Sequence, residues 1–175
     1  GTQYTFENGV KIITKKTDFK KDSIAIYGGS KGGIYQLKEE EIPSAQISID
    51  YSNLSGRGGI TYSQFQKIST TKNLAVSIGM NNTREFFNAT ANKNNLEESL
   101  QLINLMFTKP QFGEDAWKTI YTQYSEIADS YGAKPMQVFS DKIDELVMGT
   151  DIYSAPFNKD YVKKMAPKIA DTVYR

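Results

Sequence analysis

The sequence predicts an α+β domain, an antiparallel sheet with its helices packed on one face. Three observations carry that prediction. Asn8-Gly9 and Asn81-Asn82 each sit between β-rich runs, and such turns join antiparallel neighbours. The helical patterns are segregated from the strands, which is the α+β arrangement. The chain has 175 residues, 39% hydrophobic and 23% charged, enough to bury one core.

Taken in order, Tyr4-Thr-Phe and Val10-Lys-Ile-Ile-Thr-Lys flank Glu7-Asn8-Gly9 and read as a hairpin. Ser23 to Gly28 alternates and reads as a third strand, although Ala25 and Tyr27 make it apolar on both faces. Ile42 to Leu54 is ambiguous. Its β-branched residues favour a strand. Its length, Pro43 in a first turn and the spacing of Ile42, Ala45 and Ile49 favour a helix. Thr61-x-x-Gln64 is a capping box for a short second helix carrying Phe65 and Ile68.

Leu74 to Met80 and Glu85 to Ala91 read as two strands joined at Asn81-Asn82. Asn95-x-x-Glu98 is expected to cap a third helix with Leu96, Leu100, Ile103 and Phe107 on one face. Lys109-Pro110 stops it. The longest helix is expected from about Glu114 to Tyr131, closed by Gly132, with a core stripe of Trp117, Ile120, Tyr121, Tyr124, Ile127, Ala128 and Tyr131. Pro135 opens a further helix through Val138, Phe139, Ile143, Leu146 and Val147, closed by Gly149. Residues 150–159 read as irregular. Asp160 to Arg175 reads as helical in two pieces, split at Pro167.

Composition removes several chemistries. There is no histidine and no cysteine, so Ser–His–Asp and Cys–His catalysis, disulfides and thiolate metal sites are excluded. The net charge is +1, too small to recruit nucleic acid or an anionic membrane, and neither partner is expected. No apolar run reaches the ~18 residues needed to span a bilayer, so no membrane insertion is expected. Gly28-Gly-Ser-Lys-Gly-Gly and Ser55-Gly-Arg-Gly-Gly lack the spacing of a phosphate loop and read as turns.

Several local features, in their order, resemble the pitrilysin/insulinase family of zinc peptidases. They are Phe6-Glu-Asn-Gly-Val-Lys-Ile-Ile, Thr17-Asp-Phe-Lys-Lys-Asp before a strand ending in Gly28-Gly29, Ser55-Gly-Arg-Gly-Gly after a helix, and Phe107-Thr-x-Pro110-x-Phe112. The resemblance covers nearly the whole chain and supports a helix at Ile42 to Leu54. The stretch from Thr17 to Gly33 is most similar to the first domain of the C-terminal half of large bacterial members. Those proteins close as two halves around peptides, and the C-terminal half normally lacks zinc. The resemblance further implies one domain over residues 1–175, without the last strand that family domains return to the sheet. An unpaired sheet edge is thus expected, with Ile24, Ala25, Ile26, Tyr27 and Gly28 as the strand that would hold an extended peptide.

In catalytic relatives the helix carries His-x-x-Glu-His. Here Gln46, Ile49 and Asp50 stand at the corresponding positions, and Glu126 is the counterpart of a downstream glutamate ligand. Zinc needs nitrogen, sulfur or carboxylate donors in a fixed tetrahedron with an open position for water. Gln46, Asp50 and Glu126 offer no nitrogen or sulfur ligand for it. No catalytic residue, metal ligand or cofactor is therefore expected in this chain, and zinc is expected in another domain of the parent protein. The expected partners are the parent's other domains and an extended peptide. The compartment stays open between the periplasm and the cytoplasm of a bacterium. Two other readings stand beside this one: a structural relative like the core subunits of respiratory complexes, and an unrelated α+β peptide-binding module.

Overall fold

The computed structural model describes residues 1–175 apart from positions 150 and 154; these two belong to the stretch expected to be irregular and lie outside the described residues. Strand β1 (Thr2–Thr5) pairs antiparallel with β2 (Lys11–Thr14), Tyr4 facing Ile12 across the pair. Gly9 takes φ +86° in the turn, a conformation in which a side chain would be strained. Asn8 Oδ1 accepts from the Val10 N–H at 3.1 Å.

The hairpin stands as its own two-stranded sheet. The second sheet is three-stranded and antiparallel, formed by β3 (Ile24–Lys31), β4 (Ala75–Met80) and β5 (Arg84–Ala91) in the order β3-β5-β4. Two aromatic rings lock its register. Phe87 faces Gly28 and lies across it, since a Cβ at Gly28 would fall 2.1 Å from the ring. Phe86 faces Gly79 in the same way, a Cβ there falling 2.5 Å from the ring. Adjacent residues of β5 thus cover glycines of its two neighbours from opposite faces.

Helix α1 (Ile42–Ser55) settles the ambiguity of that stretch, with Pro43 in its first turn. It is buried on most of its circumference through Ile42, Ala45, Ile47 and Tyr51 together with Ser44, Ser48 and Ser52. The small serines let the chain approach closely: Ser44 Oγ accepts from the Ala166 N–H at 3.0 Å. Helix α2 (Tyr62–Lys72) has the expected capping box, with the Gln64 N–H on Thr61 Oγ1 and the Thr61 N–H on Gln64 Oε1.

Helix α3 (Leu96–Thr108) departs from expectation twice. Asn95 stands at the N-cap as expected, but its side chain makes no capping bond; its Oδ1 accepts from the Asn92 N–H and its Nδ2 donates to the carbonyls of Lys72 and Asn73. The amide satisfies the carbonyls at the end of α2 instead, while Glu98 pairs with Lys72 at 2.6 Å. The buried face is Ser99, Leu102, Ile103 and Met106, whereas Leu100 is 50% and Phe107 57% exposed. Ile103 belongs to both sets and is buried as expected; packing against β4 and β5 turns the rest of the buried stripe towards Leu102 and Met106.

Helix α4 (Glu114–Tyr131) has the expected extent, but Gly132 keeps right-handed helical angles (φ −66°) and makes no left-handed cap. Of its expected stripe, Ile120 and Ala128 are buried and Ile127 is exposed. Helix α5 (Pro135–Met148) ends at Gly149, φ +83°, with Met136, Phe139, Leu146 and Val147 exposed. Short α6 (Lys159–Val162) and α7 (Pro167–Tyr174) follow, split as expected. The core joins α1, α4, α6 and α7 through Ile47, Tyr51, Ile120, Ala128, Val162 and Ala170. Tyr51 meets the rings of Phe112 and Trp117 edge-on, both at 5.1 Å.

Candidate functional site

Two places matter: the face of α1 that the sequence points to, and the outer edge of β3. On α1, Gln46 and Asp50 are one turn apart, share a face and are exposed. Ile49 is half-buried. The residue of α4 turned towards them is Tyr124. Its hydroxyl donates to Asp50 Oδ2 at 2.7 Å and lies 3.3 Å from the Gln46 carbonyl oxygen. Burial, reinforced by the Asp50 carboxylate, drives the Tyr124 hydroxyl well above its ordinary pKa. Glu126 is exposed and stands two residues beyond Tyr124, about 200° round the helix, so it does not share Tyr124's face. Among the described residues no three His, Cys, Asp or Glu side chains group so that they could hold a metal. The donor set on this face is an amide, a carboxylate already accepting from Tyr124, and an alkyl chain, which does not fit zinc.

Beside Asp50 and Tyr124 opens a cavity of about 700 Å³, whose walls include Leu54, Arg57, Phe65 and Met106. Arg57 is only 2% exposed. Its Nη2 donates to Asn53 Oδ1 at 2.6 Å, and its guanidinium lies 4.4 Å from the centre of the Phe65 ring. Nε and Nη1 have no hydrogen-bond partner among the described residues. Burial lowers the Arg57 pKa from its ordinary value. The backbone here fixes the loop: the Arg57 N–H bonds the Ile60 carbonyl, and the Gly58 N–H bonds the Lys109 carbonyl. Sequence reasoning missed Arg57, because a cation among glycines reads as a solvated turn. No local signal marks it as buried.

The expected peptide-contact residues lie on β3. Ile24, Ile26 and Gly28 are half-buried on the inner face; Ala25 and Tyr27 are exposed on the outer one, Tyr27 at 77%. The strand runs three residues past the expected end, to Lys31. It pairs with β5 on one side, and among the described residues nothing pairs with its other side. The Gly32 N–H donates to the Thr83 carbonyl, extending the ladder. Antiparallel hydrogen-bonded pairs alternate, so the backbone groups of Ala25, Tyr27, Gly29 and Lys31 point away from β5, towards the free edge.

No protein-family model matches the chain. It is similar to the zinc protease PQQL-like protein of Arabidopsis thaliana, with 24% identity over 169 residues, 95% of this chain and 15% of that protein. The structure of the periplasmic protease PqqL from Escherichia coli superposes with a TM-score of 0.83 at 17% identity, over 99% of this chain and 19% of that one. A peptidase M16 inactive domain from Pseudomonas fluorescens superposes with a TM-score of 0.79 at 13% identity, over 99% of this chain and 42% of that one. The chain thus spans about a sixth of the length of the relative it matches, and its fold is that of M16 peptidase domains.

Proposed function

We propose that this chain, a non-catalytic domain of the pitrilysin/insulinase type, forms part of the peptide-enclosing wall of a longer zinc peptidase. Residues 1–175 act there as one domain. The observation that carries the reading is the state of α1. The helix that bears the metal motif in catalytic relatives here presents Gln46, Ile49 and Asp50, and Asp50 is held by Tyr124. Its groups can bind and orient; they cannot activate a water for attack on a peptide bond.

The free edge of β3 supplies the second half of the role. An extended peptide laid along it would satisfy the outward backbone groups of Ala25, Tyr27, Gly29 and Lys31 as an added strand, whatever its side chains. In the parent, zinc in another domain would then cut a substrate that this edge keeps extended. The periplasmic setting of the E. coli protease favours the periplasm over the cytoplasm as the compartment.

The test is a reconstitution. The chain is mixed with the zinc-bearing part of its parent, and cleavage of a fluorogenic peptide is followed. No turnover is expected from this chain alone, and more from the mixture than from the zinc-bearing part by itself. Turnover by the purified chain that a chelator abolishes would overturn the reading.

A further inference from the structure

We propose that the outer groove of β3 selects extended peptide segments that carry carboxylate side chains. This rests on the reading of β3 as a peptide-holding edge and adds the class of peptide. The groove has Tyr27, Gly29 and Lys31 on one strand and their cross-strand partners Asn88, Phe86 and Arg84 on the other. These six share one face of the sheet, because directly opposed residues of an antiparallel pair point the same way. Every charged side chain in the groove wall is cationic: Lys31 and Arg84, facing each other at one end. Neither has a carboxylate partner in an ion pair among the described residues.

The same residues that line the groove turn their backbone groups outward. A strand added at the edge would therefore set its alternate side chains beside Tyr27, Gly29 and Lys31, about 7 Å apart. Gly29 presents no side chain between Tyr27 and Lys31, and a carboxylate would complete the Lys31–Arg84 end of the groove. A cationic segment would be rejected there by like charge.

The probe is the peptide rhodamine-Gly-Gly-Glu-Thr-Val-Thr-Val-Thr-Glu-amide, labelled at its N-terminus, with an acid at each end of the strand so that either direction places one beside Lys31. Its controls are the Gln-for-Glu peptide and a form with alternate N-methylated amides. Anisotropy titrations of the 175-residue chain at low salt should show the Glu peptide binding roughly fivefold tighter than the Gln peptide, the sum of two exposed ion pairs. The gap should close near 1 M salt. Lys31→Gln with Arg84→Gln should abolish it, with circular dichroism confirming the fold. Equal affinity for the Glu and Gln peptides overturns the charge selection and leaves the edge reading standing. Binding that survives N-methylation overturns strand addition, and absence of binding by either peptide overturns both readings.

Discussion

Tyr124 on α4 donates a hydrogen bond to Asp50 on α1, so this carboxylate ties the two helices together. Asp50 stands alone on this face, and among the described residues no three His, Cys, Asp or Glu side chains gather to hold a metal. After dialysis the chain should hold no stoichiometric zinc by elemental analysis, since carboxylates alone favour harder ions. One equivalent of zinc, lost in Asp50→Asn or Glu126→Gln, would contradict this.

The tyrosines make stability fall in alkali. Tyr161 is buried, and burial pushes its hydroxyl up to about 12; burial also raises Tyr124 and Tyr174. In the unfolded chain tyrosine titrates near pH 10. Above that pH the unfolded state sheds protons that the folded state keeps, so folding stability is full below pH 10 and declines as pH rises towards the folded values. For Tyr161 the slope reaches about 1.4 kcal/mol per pH unit. Its hydroxyl has no partner among the described residues, so Tyr161→Phe should hold or raise stability at pH 7, by up to ~1 kcal/mol, and flatten the alkaline decline. Urea melts between pH 8 and pH 11 read both effects, and a decline unchanged in Tyr161→Phe would refute the assignment.

Gly28→Ala should destabilise by about 1–3 kcal/mol, because its Cβ would meet the Phe87 ring at 2.1 Å and that ring is itself held edge-on by Phe107 at 5.7 Å. Pairing it with Phe87→Leu should recover part of the loss. Additive losses in the double variant would show that the ring yields freely.

Arg57→Met should leave the melting temperature unchanged or higher. It removes a cation that burial penalises and that has two nitrogens without partners, while keeping the hydrophobic stem. Arg57→Ala should lower it, since the side-chain volume is lost beside Phe65. A fall of more than ~2 kcal/mol in Arg57→Met would mean the guanidinium is satisfied in solution.

What was legible in the sequence was local. The Thr61–Gln64 capping box, the Asn8-Gly9 turn and the break at Pro167 each depend on neighbours a few residues away, and each formed as read. Asn95 took the N-cap position but not the capping bond, for the opposite reason: its amide turns to carbonyls at Lys72 and Asn73, more than twenty residues back. The face of α3 was read in part: Ile103 is buried as expected, but the sheet beneath draws in Ser99, Leu102 and Met106 and leaves Leu100 exposed. That Gln46 and Asp50 share one face of α1 follows from their spacing. That Tyr124 would meet them, with Glu126 turned aside, depends on how α4 rotates against α1, which no local pattern encodes.

The separate hairpin has a consequence for cooperativity. Every residue of β1 and β2 is exposed, and a lone two-stranded ribbon is marginal in water. Its amide protons should exchange with solvent orders of magnitude faster than those of α1, through openings that leave the helical core intact. The hairpin then opens with a free energy of its own, below that of the helical core: a probe on Tyr4 and a probe on Trp117 would report different transitions.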